Sequence, residues 1–180
     1  ASAKLSRLPL PINRSPSVTV DDNALLARQV KDPRLLVVDY IGKISPGREG
    51  RRKDRIEYMT EISGALKTLA RTLRIPALVL CQLNRQTEGQ RDRVPQLSHL
   101  RDSGAIEQDA DGVIFMHRPE NAGDEAIMRA DREYFDAINA GGYQYIVLSA
   151  AKQRQGRIGR TGVIFDPAHM DYRCVGRMEA

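Results

Sequence analysis

Short apolar runs alternate along this chain with stretches whose apolar residues recur every three or four positions. LLVVDYI, residues 35–41, is apolar and rich in β-branched side chains, as a strand buried on both faces of a parallel sheet is. A loop rich in glycine, proline and charge follows over 42–53. Ile56, Met59, Ile62, Leu66, Leu69 and Leu73 then mark one face of a helix over about 54–74, and Pro76 marks its end. ALVLCQLN, residues 77–84, predicts a second buried strand, and the polar stretch 85–97 a loop. Residues 98–111 read as short helical pieces broken at Ser103-Gly104, and GVIFMH, 112–117, as a third strand. The stretch 118–142 is charged, with turn signals at Asn121-Ala122-Gly123 and Gly141-Gly142. YQYIVLSAAK (143–152), RTGVIFDP (160–167) and DYRCVG (171–176) are further strands whose short connections predict antiparallel pairing. Ahead of residue 35, LPLPI predicts an edge strand and Val20–Val30 a short helix, capped by Asp21 or Thr19.

This β-α-β alternation predicts an α/β fold with a mostly parallel sheet and antiparallel C-terminal strands. Composition agrees with one globular domain: 180 residues, 41% hydrophobic and 28% charged. No run reaches the roughly 18 apolar residues of a membrane span, and ASAKLSRLPLPINR lacks the continuous apolar core of a secretory signal. Cys81 and Cys174 are the only cysteines. Cys81 sits in an apolar run as a small buried hydrophobe, so no disulfide framework is expected and a reducing cytoplasm fits. His99, His117 and His169 are far apart, without neighbours at metal-ligand spacing. Lys and Arg exceed Asp and Glu by 28 to 23, a net charge of +5 that permits nucleic-acid binding without requiring it. The basic run REGRRKDR, Arg48 to Arg55, reads first as a solvated loop before a helix.

Four places have residues suited to chemistry. Asp39 ends the apolar strand LLVVD, at the edge where ligands bind open α/β sheets. A carboxylate there either holds Mg²⁺ on a nucleotide phosphate or is a surface acid or helix cap. Gln82, near the end of the second strand, either senses a phosphate and orients a water or is satisfied by backbone. In LRDSGAIEQDAD, Arg101 and Asp102 precede Ser103-Gly104, where a glycine lets backbone N–H groups approach a phosphate. In KQRQGRIGR, Lys152 and Arg154 are two apart, hence on one strand face, where they either grip a phosphoryl group or line a solvated edge.

LLVVDY, CQLNR, LRDSGAIEQDAD and KQRQGRIG, in that order and spacing, resemble the motor domain of DnaB-type replicative helicases, a RecA-like P-loop NTPase fold. LPLPINRSPSVTV resembles the strand and turn before the second motif, so the likeness runs over roughly 5–175. The resemblance implies that Asp39 is the acid of the Walker B strand, which organises Mg²⁺, and that Gln82 senses the γ-phosphate of ATP. It implies that Arg101, Asp102 and Gly104 track the backbone of single-stranded DNA. It also implies that Lys152 and Arg154 reach the γ-phosphate of a neighbouring subunit, with Arg154 as arginine finger. It further implies an ATP-driven homo-hexameric ring moving 5′ to 3′, with a primase and a helicase loader as partners. Asp102 stands where the family usually has Glu, and Ala105 where it usually has Ser, which puts fine DNA contacts in doubt.

No G-x-x-x-x-G-K-[ST] occurs in the sequence. The resemblance puts that P-loop, the glutamate base after it and a helical N-terminal domain upstream of residue 1. Residues 1–180 are therefore expected to be one partial motor domain of a longer chain, with the N-terminal P-loop segment missing. The P-loop strand of such folds lies between the strands assigned here to ALVLCQLN and GVIFMH, whose facing edges are expected to be unpaired. Two other readings stay open: a non-catalytic DNA-binding or assembly module that has lost its nucleotide site, and a RecA-like recombinase or clock-type ATPase. The upstream reading frame separates the first, and a strand-exchange assay the second. These 180 residues alone should not hydrolyse ATP above background, because cradle and base are what position the reacting groups. DNA-stimulated turnover by the purified chain would overturn that expectation.

Overall fold

A computed structural model of the chain describes residues 10–15, 17–45, 54–83, 94–119, 136, 138 and 140–177. The basic run 48–53, Asn84, Arg85 and most of 118–142 lie outside the described residues. The chain gathers into two compact units, 1–82 and 83–180, each described by itself.

In the first unit, helix α1 (Val20–Gln29) starts at Thr19, whose hydroxyl oxygen accepts from the Asp22 N–H at 3.1 Å. The Asp22 carboxylate accepts in return from the Thr19 N–H at 2.9 Å and the Thr19 hydroxyl at 2.8 Å. This capping box satisfies orphan donors at both positions and fixes Thr19, not Asp21, as the cap. The Thr19 N–H, then its hydroxyl, hold the Asp22 carboxyl below its usual range. LPLPI does not form the edge strand expected of it: its described residues, Leu10–Ile12, are irregular and exposed. Pro11 has no N–H to give a ladder. Val18 instead makes an isolated parallel bridge to Ile44.

Strand β1 (Leu36–Val38) pairs in parallel with β2 (Ala77–Val79), Leu36 opposite Ala77 and Val38 opposite Val79. Both are shorter than the apolar runs that contain them, since Ile41–Lys43 turns into a 3₁₀ helix after β1. Single bonds carry the pairing a little further, Leu80 N–H to Val38 O and Ile41 N–H to Leu80 O, both 2.9 Å. A parallel pair needs a crossover, and helix α2 (Arg55–Leu73) supplies it. Its start is set by the Asp54 carboxylate, which accepts from the Glu57 N–H at 2.8 Å. It ends where Arg74 turns left-handed (φ 54°), two residues before Pro76. Met59, Ile62, Leu66 and Leu69 are buried as their spacing predicts, each worth about 1.5–3 kcal/mol before conformational entropy. The ends of that face depart from it: Leu73 is half-buried, and Ile56, in the first turn ahead of the packed stretch, stays 55% exposed. On the outer face Thr60, Thr68 and Thr72 donate to the carbonyl four residues back at 2.9 Å. The Tyr58 hydroxyl donates to the Ile44 carbonyl and ties the helix to the segment after β1.

In the second unit a 3₁₀ helix, Leu97–Ser103, leads into helix α3 (Gly104–Asp109), with the break at Ser103-Gly104 as expected. Four strands follow in the order β3 (Gly112–His117), β4 (Gln144–Gln153), β5 (Gly159–Asp166) and β6 (Asp171–Arg177), all antiparallel. Parallel and antiparallel pairing thus both occur, as predicted. The antiparallel part is the larger among the described residues, because α2 is the one described crossover between paired strands. Among the described residues β2 pairs only with β1, and β3 pairs only with β4.

Strand β4 is interior and reads accordingly, with Tyr145, Ile146 and Val147 all buried. Ile138, Tyr145 and Val147 form a core cluster against which Ile164 packs. At the far hairpin, Phe165 and Tyr172 stack across strands with ring centroids 4.6 Å apart. The turn is held by Asp166, whose carboxylate accepts from the Ala168 N–H at 3.0 Å and meets the His169 ring Nδ1 at 2.8 Å. The His169 side-chain bond is the main reason the Asp166 carboxyl lies below its usual range. Gly162 is required for packing: a β-carbon there would fall on the Tyr145 hydroxyl oxygen and lie 2.6 Å from ring carbon Cζ. Since Tyr145 is only 2% exposed and cannot swing out, Gly162→Ala should destabilise the chain by about 1–3 kcal/mol. The denaturant midpoint checks this, and an unchanged midpoint would mean the ring has room to move.

Candidate functional site

The candidate residues fall into three groups. Asp39 follows β1 and Gln82 lies three residues beyond the end of β2; both are exposed. Because those strands are parallel neighbours, both side chains leave the pair at the same end, the carboxyl end where ligands bind such sheets. Lys43 sits 6.0 Å from the centroid of the Tyr40 ring, just after Asp39. Cys81, between β2 and Gln82, is half-buried, and burial pushes its thiol pKa up, against a smaller opposing effect of Arg55. The sequence reading took it for a small buried hydrophobe, and the structure buries it only in part.

Among the described residues no group of three or more His, Cys, Asp or Glu gathers as a metal cage. The donor set at this strand end is one carboxylate. That fits Mg²⁺, which keeps several waters and takes one or two carboxylates plus phosphate oxygens, and does not fit zinc or calcium. The buried His99 is explained locally: its Nδ1 accepts from the Gln96 N–H at 3.0 Å.

The second group is brought together closely. Lys152, in β4, and Arg154, just past it, both turn onto the last carbonyls of α3. The Lys152 ammonium donates to the Glu107 carbonyl and lies 3.5 Å from that of Gln108. Arg154 Nη2 donates to the same Gln108 carbonyl at 2.7 Å, and Nη1 meets the Asp111 carboxylate at 3.2 Å. The Arg154 N–H donates to the Asp111 carbonyl at 2.9 Å. The two cations come together as expected of neighbours on one strand face, and what they touch is the end of a helix. Such an end leaves carbonyls without intrahelical partners and attracts positive charge. The sequence reading missed Asp111, Glu107 and Gln108 as partners. Glu107 and Gln108 act through backbone oxygens, which no side-chain pattern reveals. Asp111 had one available signal, its place in a turn immediately before a strand.

In the third group, Arg101 and Asp102 belong to the 3₁₀ helix Leu97–Ser103, and their side chains lie outside the described residues. Gly104 opens α3 in ordinary right-handed geometry, φ −49° and ψ −29°. Its place therefore owes nothing to backbone freedom. A β-carbon there would meet nothing within 4 Å, so the main chain is open to close approach.

A family model of the DnaB-like helicase C terminal domain matches residues 1–173. Over 168 residues the chain is 33% identical to the replicative DNA helicase DnaB of Geobacillus stearothermophilus, covering 92% of this chain and 34% of that protein. Over 121 residues it is 40% identical to the replicative DNA helicase DnaB of Mycobacterium leprae, covering 66% and 20%. A solved structure described as an ATPase domain matches with a TM-score of 0.79 at 26% identity, over 97% of this chain and 58% of that one. A DnaB-like replicative helicase, solved for its interactions with primase, matches with a TM-score of 0.75 at 27% identity, over 92% and 38%. The chain thus spans between about a fifth and a third of the length of these curated relatives. The two structural likenesses bear out the α/β, RecA-like fold. Among the described residues no helix is long and apolar enough to cross a membrane.

The geometry at Gly104 gives a direct test. Gly104→Ala should leave the chain as stable as before, or more stable by about 0.4–1 kcal/mol, since alanine tolerates this φ and restricts the unfolded chain. Thermal unfolding measures it. A large loss would mean that the glycine serves folding, not an open main chain.

Proposed function

The chain belongs to the family of DnaB-like helicase C-terminal domains, and from that premise we propose that it is the motor portion of an ATP-dependent, ring-forming replicative DNA helicase. Residues 1–180 are then one part of one motor domain, working in the cytoplasm within a homo-hexamer on single-stranded DNA. Primase is the first partner to expect, since a structural relative is described by its interactions with one; a helicase loader is the second. The observation that carries the reading is the family match over 1–173, which spans every candidate residue together.

Each group then has a task. Asp39, exposed just past the carboxyl end of β1, is the carboxylate that would hold Mg²⁺ on bound ATP. Bound, the ion would neutralise charge on the phosphates. Gln82, leaving the neighbouring strand at the same end, presents an amide that orients a water or reports a phosphate. Lys152 and Arg154 serve a neighbouring subunit: a compact ammonium and a planar fork, close enough to share a carbonyl, suit the dispersed charge of a transferring phosphoryl group. Arg101, Asp102 and Gly104 meet the DNA backbone. Contacts of that kind carry no base information, so binding is expected without sequence preference.

Arg154 is the sharpest test. In the full-length protein, Arg154→Ala should leave nucleotide binding nearly intact, because the groups that dominate binding lie in the subunit owning the site. Turnover should fall about 10³-fold or more, the usual worth of an arginine finger. Rings mixing this variant with one inactive in its own phosphate site should regain part of the activity, since some interfaces then hold both intact parts. Near-normal ATPase of Arg154→Ala in assembled rings would refute the assignment.

A further inference from the structure

Asp111 belongs to none of the three groups, yet it holds Arg154 at both ends. Its carbonyl oxygen accepts from the Arg154 main-chain N–H at 2.9 Å, and its carboxylate lies 3.2 Å from Nη1 of the same residue. The third anchor is the Gln108 carbonyl, 2.7 Å from Nη2. A long side chain with many rotamers is thereby fixed where it leaves the backbone and again at its charged tip. The pair is open to water, with the Arg154 side chain 51% and the Asp111 side chain 66% exposed. An exposed ion pair contributes little to folding. Its effect lies in where the guanidinium points.

We propose that Asp111 is a positioning residue for Arg154, setting the plane of the guanidinium so that a phosphoryl anion meets a fork already aimed. This rests on the reading of Arg154 as a group that acts on such an anion. Among the described residues the fork has N–H groups to spare: Nη1 and Nη2 each keep a second hydrogen, and Nε–H is also available. Those are the donors a bidentate anion contact uses. Preorganisation of this kind raises the rate by sparing the transition state the work of orienting a flexible chain.

The carboxylate also has an electrostatic consequence with a definite sign. It offsets part of the positive charge that an incoming nucleotide meets. Asp111 therefore aids orientation while slightly opposing anion attraction. Removing its charge should not weaken nucleotide binding, and should slow turnover. A residue that merely supported the fold would damage both.

The test uses steady-state ATPase in the full-length protein in assembled rings, with ATP and Mg²⁺. Asp111→Asn, nearly the same shape without the charge, should lower kcat about tenfold with KM for ATP unchanged or lower. Asp111→Glu, which restores the carboxylate on a longer arm, should recover part of that loss. In an Arg154→Ala background, Asp111→Asn should cost nothing further, because the residue it positions is gone. Mixing should assign the Asp111→Asn defect to the subunit that donates Arg154, so rings mixing it with a variant inactive in its own phosphate site should regain activity. Normal kcat in Asp111→Asn, while Arg154→Ala is inactive, would overturn the positioning role and leave the finger standing. A full additional loss on top of Arg154→Ala would equally overturn it, since Asp111 would then act elsewhere. Normal turnover in Arg154→Ala would remove the premise itself, a result read from that single variant and so separate from the other two.

Discussion

A helix of six residues cannot be held by its own hydrogen bonds. α3 runs only from Gly104 to Asp109, so most of its carbonyls have no partner within it. Donors must come from outside, and the end of β4 delivers them as Lys152 and Arg154. That one requirement ties the segment after the 3₁₀ helix to the edge of the antiparallel sheet. It also puts Asp111, at the join of α3 and β3, beside the guanidinium it pairs with. The two cations read as phosphate-seeking are thus also structural caps, and the segment read as DNA-contacting begins at the other end of the helix they cap. Any anion that draws the cations away must compete with the helix end for them.

The first unit solves a different problem. Two short parallel strands need a long connection, and α2 provides it while burying one face. Parallel direction has the consequence that matters for function: polar residues after each strand emerge at the same end. Asp39 and Gln82 follow their strands at one end of the pair for that reason alone, though they are far apart in sequence. Neither belongs to a metal cage among the described residues. A single exposed carboxylate is enough for an ion that brings its own waters and phosphate oxygens.

Much of this was legible beforehand. The spacing of Met59, Ile62, Leu66 and Leu69 gave α2 its buried face, and Pro76 marked its end; the Asp54 cap was not read. The break at Ser103-Gly104 and the three C-terminal strands followed from turn residues and alternation. LPLPI misled because an apolar, extended-looking run resembles a strand until a partner is required, and proline cannot donate to one. Ile56 fitted the helical period but lies ahead of the packed stretch; periodicity specifies a face, not how far along it the packing extends.

The sequence by itself determined the local elements, their α/β order, the family, and which side chains carry usable charge. Those follow from steric preference, hydrophobic period and motif content, all of which are properties of nearby residues. Only the tertiary structure decided what the charges touch. Lys152 and Arg154 looked free to grip a phosphate, and they cap carbonyls more than forty residues away. Gly104 was read as a place where the main chain lies open to a phosphate, and only the packed structure shows ordinary backbone angles with open space beside it. Tyr145 fixed residue 162 as glycine from the neighbouring strand. Backbone oxygens and the space beside a residue have no letter in the sequence, so contacts that depend on them emerge only once distant segments are packed together.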